Sequence, residues 1–104
     1  MSAYVIANYN VVDPEMFGNY PEPAMKTVMD HGGKFLVVGG LPDFAQPNVM
    51  DGSDEHAVII VIEFPSQEAL DGWYNSPEYQ EIVSLRTDST EGWAMSVAGF
   101  EMPG

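Results

Sequence analysis

The stretch Ala57-Val58-Ile59-Ile60-Val61-Ile62, lying between His56 and the turn-forming Pro65, constrains this chain most. The run is too short for a free-standing helix, and its β-branched side chains pack well on a pleated surface, so it predicts a strand from His56 to Phe64. Successive side chains on a strand point to opposite faces, and this run is apolar on both parities. Both faces of its sheet must therefore be covered. Phe35 to Val38 carries the same requirement.

Turn and cap residues divide the rest of the chain. Ala3 to Val11 is rich in β-branched and aromatic residues, free of Gly and Pro, and predicts a first strand. Asp13-Pro14-Glu15 supplies an N-cap, a proline suited to the first helical position and an acid at the positive end of the helix dipole. A helix is expected from Asp13 towards His31, with Met16, Phe17, Tyr20, Ala24, Met25 and Val28 on its buried side and a break near Tyr20, because Pro21 and Pro23 remove backbone donors. Gly32-Gly33 ends it, and Lys34 to Val38 forms a second strand. Leu41 to Glu55 lacks periodicity and holds Pro42, Pro47 and Gly52, which predicts a long loop with room for a short ribbon, a candidate lid or a segment that embraces a partner. Ser66 caps a helix over Gln67 to Trp73, Ser76 and Pro77 open another that runs to Arg86, and Trp93 to Phe100 closes the chain as a strand.

The order β-α-β-β-α-β predicts a single α+β domain over residues 1–104. Its architecture is a ferredoxin-like plait, a four-stranded antiparallel sheet with helices on one face. Two helical segments cover one face only. The other is expected to meet the sheet of a second copy across a two-fold axis, giving a homodimer through the open sheet face.

Sixteen acidic residues against three basic ones give a formal charge of -13, which excludes nucleic acid and anionic membrane surfaces as partners, since both require cationic neutralisation. Such a surface suits a salt-rich source, where its self-repulsion is screened, or an ordinary acidic bacterial protein. The absence of cysteine excludes disulfides, thiolate nucleophiles and cysteine-ligated metals. Met1 to Val12 has no basic leader and no apolar run reaches the ~20 residues that span a bilayer, so the expected location is cytoplasmic. No phosphate loop, dinucleotide fingerprint, metalloprotease pair or nucleophile elbow occurs, and no cofactor is implied. Asp51-Gly52-Ser53-Asp54-Glu55-His56 has metal-friendly side chains but does not match the calcium-loop pattern, so no metal site is expected.

Gly32-Gly33-Lys34-Phe35-Leu36-Val37-Val38-Gly39-Gly40, Val61-Ile62-Glu63-Phe64-Pro65-Ser66, Trp73-Tyr74-Asn75-Ser76-Pro77-Glu78-Tyr79-Gln80 and Arg86 together resemble the domain-of-unknown-function 1330 family over nearly the whole chain. The Trp-Tyr-x-Ser-Pro-x-Tyr block after Glu-Phe-Pro-Ser is the most specific part. The chain departs from the family pattern at Val38, often basic there, and at His31, often aromatic. The resemblance implies a dimeric α+β barrel, a superfamily whose members include small monooxygenases, muconolactone-type isomerases and polyketide cyclases, and it implies no particular reaction.

Three residues are candidate catalytic groups. His31, in the last turn of the first helix, is a candidate acid or base, or else only complements the helix end. Glu63 follows a fully apolar run, where a carboxylate needs a partner, a raised pKa, or satisfaction by a capping amide near Ser66 or by water. Arg86, the one arginine, either clamps a substrate carboxylate or forms a structural pair, with Glu63 as one partner. Tyr20, Trp73, Tyr74 and Tyr79 are candidate ligand-binding residues that line a flat apolar cavity, or are core and dimer contacts. These side chains suit proton abstraction or isomerisation on a small carbonyl or aromatic compound better than hydrolysis; a non-catalytic ligand-binding or scaffold dimer is the other reading.

Overall fold

The computed structural model describes residues 1–53 and 55–103; Asp54, within the acidic stretch singled out above, and Gly104 lie outside them. The strands are β1 (Ala3–Val11), β2 (Lys34–Gly39), β3 (Val58–Phe64) and β4 (Thr90–Ala98), in the spatial order β2-β3-β1-β4 with every neighbouring pair antiparallel. The helices are α1 (Pro14–Phe17), α2 (Pro21–Asp30), α3 (Gln67–Tyr74), α4 (Pro77–Gln80) and α5 (Val83–Thr87). This is the ferredoxin-like α+β plait that the pattern predicts.

Local chemistry sets the boundaries. Asp13 Oδ1 accepts from Met16 N at 3.1 Å, Ser66 Oγ from Ala69 N at 3.0 Å and Ser76 Oγ from Tyr79 N at 3.2 Å, so the three expected caps are in place. The expected break near Tyr20 is complete: α1 and α2 are separate, because Pro21 and Pro23 occupy the first turn of α2, where missing N–H groups cost nothing. The helix expected to run from Pro77 to Arg86 is also two pieces, joined through Ile82, whose N–H bonds to Tyr79 O at 3.0 Å. β4 starts earlier than expected, since Thr90, Glu91 and Gly92 pair with Val11, Asn10 and Tyr9. Among the described residues the loop after β2 holds a single bridge, Gly39 to Ala45, rather than a ribbon.

The two faces of the sheet differ. Val58, Ile60, Ile62 and Phe64 on β3, with Ala3, Val5, Ala7 and Tyr9 on β1, are buried under the helices together with Phe17, Val28, Leu70, Trp73 and Tyr79. The opposite face carries Ile6, Ile59 and Val61, half-buried, and Val37, Trp93, Met95 and Val97, which are 40–60% exposed. No helix among the described residues is long and apolar enough to cross a membrane.

Candidate functional site

A cavity of about 450 Å³ lies between the helices and the covered face of the sheet, within the range of small-molecule sites. Its origin is a mismatch of side-chain size. On β4 the residues facing the helices are Gly92, Ala94, Ser96 and Ala98, registered against Tyr9, Ala7, Val5 and Ala3. These small side chains leave volume that α2, α3 and α4 do not fill. Gly92 has φ +151°, and a Cβ there would stand 2.5 Å from Tyr9 Cα, so only glycine lets the two strands pack at that end.

Aromatic rings form the wall. Tyr9 contacts Phe17, Phe17 contacts Tyr20, Tyr20 meets Tyr79 edge-on at 6.3 Å, and Tyr79 packs on Trp73 with ring centroids 4.2 Å apart. Tyr74 completes the group against both Trp73 and Tyr79. Trp73 is fixed by its indole N–H, which donates to Thr27 Oγ1 at 3.0 Å, while Thr27 donates to Ala24 O at 2.8 Å. Ser76 donates to Trp73 O at 2.7 Å as well as capping α4, so the Trp-Tyr-x-Ser-Pro-x-Tyr block builds one wall by local geometry.

The polar groups in the cavity converge on one end. The Tyr20 and Tyr79 hydroxyls are 2.7 Å apart, and Arg86, half-buried on α5, lies beside both. Burial pulls the Arg86 pKa down, but the two neighbouring phenols outweigh it and hold the guanidinium in its charged form, raised above its ordinary value. Burial, helped by Tyr79, pushes Tyr20 upward, and burial raises Tyr9 to about 12, so both phenols are protonated donors at neutral pH. Asp71, exposed at the rim, accepts from Gln67 Nε2 at 2.9 Å and is the only carboxylate lining the cavity among the described residues.

The structure thus brings Arg86, Tyr20, Trp73, Tyr74 and Tyr79 together and leaves Glu63 and His31 apart from them. Glu63 shares the parity of Ile59 and Val61 and sits on the open face, where Tyr4 Oη donates to its Oε2 at 2.9 Å. The expected pairing of Glu63 with Arg86 is not made, since the sheet lies between them; the carboxylate is satisfied across β1 and β3 instead. His31 follows α2 with its Nδ1 2.9 Å from Thr27 O, bound to the helix end and outside the cavity lining.

A family model, Domain of unknown function (DUF1330), matches residues 2–100. The chain belongs to this family. No curated protein sequence matches it. Among solved structures, this DUF1330 chain is similar to RPA0582, a protein of unknown function from Rhodopseudomonas palustris. The TM-score is 0.76 at 14% identity, over 97% of this chain and 84% of that one. It is also similar to SnoaB, a cofactor-independent oxygenase from Streptomyces nogalater, with TM-score 0.65 and 9% identity over 97% and 95% of the two chains. A dimeric protein of unknown function with a ferredoxin-like fold from Bacteroides fragilis aligns with TM-score 0.59 and 8% identity over 94% and 96%. At these identities the likeness is one of fold.

Sequence reasoning missed Tyr9, Phe35, Phe44 and the small residues of β4 as parts of the DUF1330 cavity. One signal for the last was present. In Trp93-Ala94-Met95-Ser96-Val97-Ala98 one parity is bulky and the other small, the mark of a strand with a contact on one side and space on the other.

Proposed function

We propose that the chain acts as a homodimer, sheet against sheet, with a small flat carbonyl or aromatic compound held in the cavity of each protomer and transformed there without a cofactor. The observation that carries this reading is the Tyr20–Tyr79 hydroxyl pair, 2.7 Å apart beside Arg86, at the polar end of an apolar cavity. Donors held in place before the reaction stabilise negative charge as it develops on oxygen. Loss of a proton from carbon next to a carbonyl, to water admitted at the rim or to the Asp71 carboxylate there, puts that charge on the enolate oxygen. A phenol and a guanidinium facing it favour isomerisation or cyclisation, and equally the formation of the electron-rich carbanion that a cofactor-independent oxygenase needs. Aromatic walls from Phe17, Trp73 and Tyr79 favour a flat ligand.

Support for the dimer comes from the open face. Val37, Val61, Ile6, Ile59, Trp93, Met95 and Val97 make one apolar surface over four strands, which a monomer leaves in water. The half-buried Glu63 and its Tyr4 partner stand at the end of that surface. The Bacteroides fragilis neighbour is described as dimeric, which fits the same arrangement.

A second reading, a non-catalytic ligand-binding dimer, is favoured by one observation: among the described residues the cavity lining contains no imidazole, and its carboxylate, Asp71, is exposed and engaged by Gln67. Deuterium exchange separates the two. A panel of aromatic 1,3-dicarbonyl compounds is incubated with the protein in deuterium oxide and followed by NMR. The enzyme reading expects exchange at the carbon next to the carbonyl above the buffer rate, reduced about tenfold or more by Tyr79→Phe. Binding across the panel with exchange at the buffer rate throughout would establish the binding protein instead.

A further inference from the structure

We propose that the cavity selects monoanions: its ligand carries one negatively charged oxygen on a flat apolar body, and that oxygen seats on Arg86. The inference rests on the reading of the cavity as a small-molecule site and names the class of molecule it takes.

Arg86 is the one arginine in a chain with sixteen acidic residues, yet the only ion pair among the described residues is Lys26 with Asp30 at 2.8 Å on the surface. A guanidinium in so acidic a molecule meets carboxylates unless its position prevents it. Here α5 directs it into the cavity, where its neighbours are the Tyr20 and Tyr79 phenols rather than a carboxylate within ion-pair distance among the described residues. The positive charge therefore stays uncancelled in the free protein. Part of the guanidinium donates to the Tyr20 and Tyr79 oxygens; with five N–H donors against two phenol oxygens, the remainder faces the cavity that Arg86 lines.

A count of donors points the same way. The other donors near this end are already used: the Trp73 indole N–H on Thr27, the Ser76 hydroxyl on Trp73 O, and one of the two phenol hydrogens on the other phenol. What remains free is the part of the guanidinium fork not taken up by the two phenol oxygens, and one phenol O–H, all donors. A carboxylate, or the enolate or phenolate oxygen of an acidic hydroxyaromatic, accepts from both; a neutral amide offers a weaker acceptor and brings N–H groups with no partner. Arg86 is already partly stripped of water in the free protein, so part of the desolvation cost of the pair is met before the ligand arrives.

The overall charge adds a signature. A chain of net charge -13, with Asp71 on the rim, repels an approaching anion at long range, while the contact with Arg86 lies inside the cavity and is screened less. Anion affinity should therefore hold or rise as salt goes from about 20 to 200 mM, the reverse of an ordinary exposed ion pair.

The test is calorimetric titration of the intact protein with two matched pairs, benzoate with benzamide and 2-naphthoate with 2-naphthamide. Variants Arg86→Met and Arg86→Lys are run beside the natural chain. The expected result is a preference of about tenfold or more for the acid of at least one pair. Arg86→Met should abolish that preference while leaving the amide affinity within about twofold, and Arg86→Lys should recover part of it. Equal binding of acid and amide by the natural chain, or an acid preference that survives Arg86→Met, overturns the proposal and leaves the cavity reading standing. Binding of neither member of either pair overturns both. Should Arg86→Met fail to fold, the natural chain's acid-to-amide ratio and its salt dependence decide alone.

Discussion

The two faces of the one sheet have been given opposite tasks, and β4 shows the division most clearly. Towards the helices it presents Gly92, Ala94, Ser96 and Ala98; away from them it presents Trp93, Met95 and Val97. The first set leaves space and the second offers contact. The polar chemistry is divided too. The covered side holds the guanidinium and the protonated phenols, and the open side holds the Glu63 carboxylate with Tyr4 and the register-paired Lys34. A sheet only one layer thick thus separates a donor-rich chamber from an apolar plane with a carboxylate at its end, and a substitution's consequences depend on parity more than on position along the chain.

The largest expected effect comes from breaking the open plane. Val61→Lys puts a charge at the middle of β3 on that face, where a sheet-on-sheet dimer would bury it without a partner, a cost of several kcal/mol. Sedimentation velocity should show the dimer weakened, its dissociation constant raised by a factor of a hundred or more. A dimer of unchanged strength would assign the interface to another surface.

Next comes the alkaline limb of stability, which belongs to the covered side. Burial holds Tyr9 at about 12 and Tyr20 higher still, against an ordinary value of 10.0. Their folded-state pKa values are raised, so the unfolded chain loses these protons first. The stabilisation is complete below about pH 10 and is lost as pH rises towards the folded-state values. Urea titrations from pH 8 to 11.5 should show stability falling by on the order of 2 kcal/mol above pH 10. Tyr9→Phe should flatten that slope, and an equally steep slope in the variant would remove Tyr9 as a cause.

The smallest effect is expected from Glu63→Gln, which keeps an acceptor for Tyr4 Oη and removes only charge from the open face. Affinity for 2-naphthoate should stay within about twofold, since the sheet separates Glu63 from the cavity, while the dimer should hold or tighten. A marked loss of ligand affinity would show that the two faces are coupled.

Much of this arrangement was legible in the sequence because it rests on local rules. The apolar run of β3 required two covered faces, Asp13, Ser66 and Ser76 marked helix starts, and Pro21 and Pro23 marked the break between α1 and α2. The Trp73 to Tyr79 block is local as well, so its grouping with Tyr20 was open to inference. The placement of Glu63 was not, although its parity with Ile59 and Val61 hinted at it. The Tyr4–Glu63 bond joins residues 59 apart in sequence and depends on the β1–β3 register, which no nearby residue encodes. The break between α4 and α5 was illegible for another reason. No proline or glycine stands there, and the turn follows from how Ile82 and Val83 pack on the core. The cavity is a property of absence, a row of small side chains on one strand opposite helices that come from elsewhere in the chain.

The chain has two tryptophans, and the sheet stands between them. Trp73 is buried in the cavity wall, hydrogen-bonded to Thr27, while Trp93 lies on the open face, 40% exposed. The molecule therefore carries two intrinsic fluorophores in unlike surroundings, one buried and stacked on Tyr79, the other exposed on the open face. Occupancy of the chamber should quench or shift the first emission and assembly should blue-shift the second, so one spectrum, resolved with Trp73→Phe and Trp93→Phe variants, follows filling and pairing as separate signals.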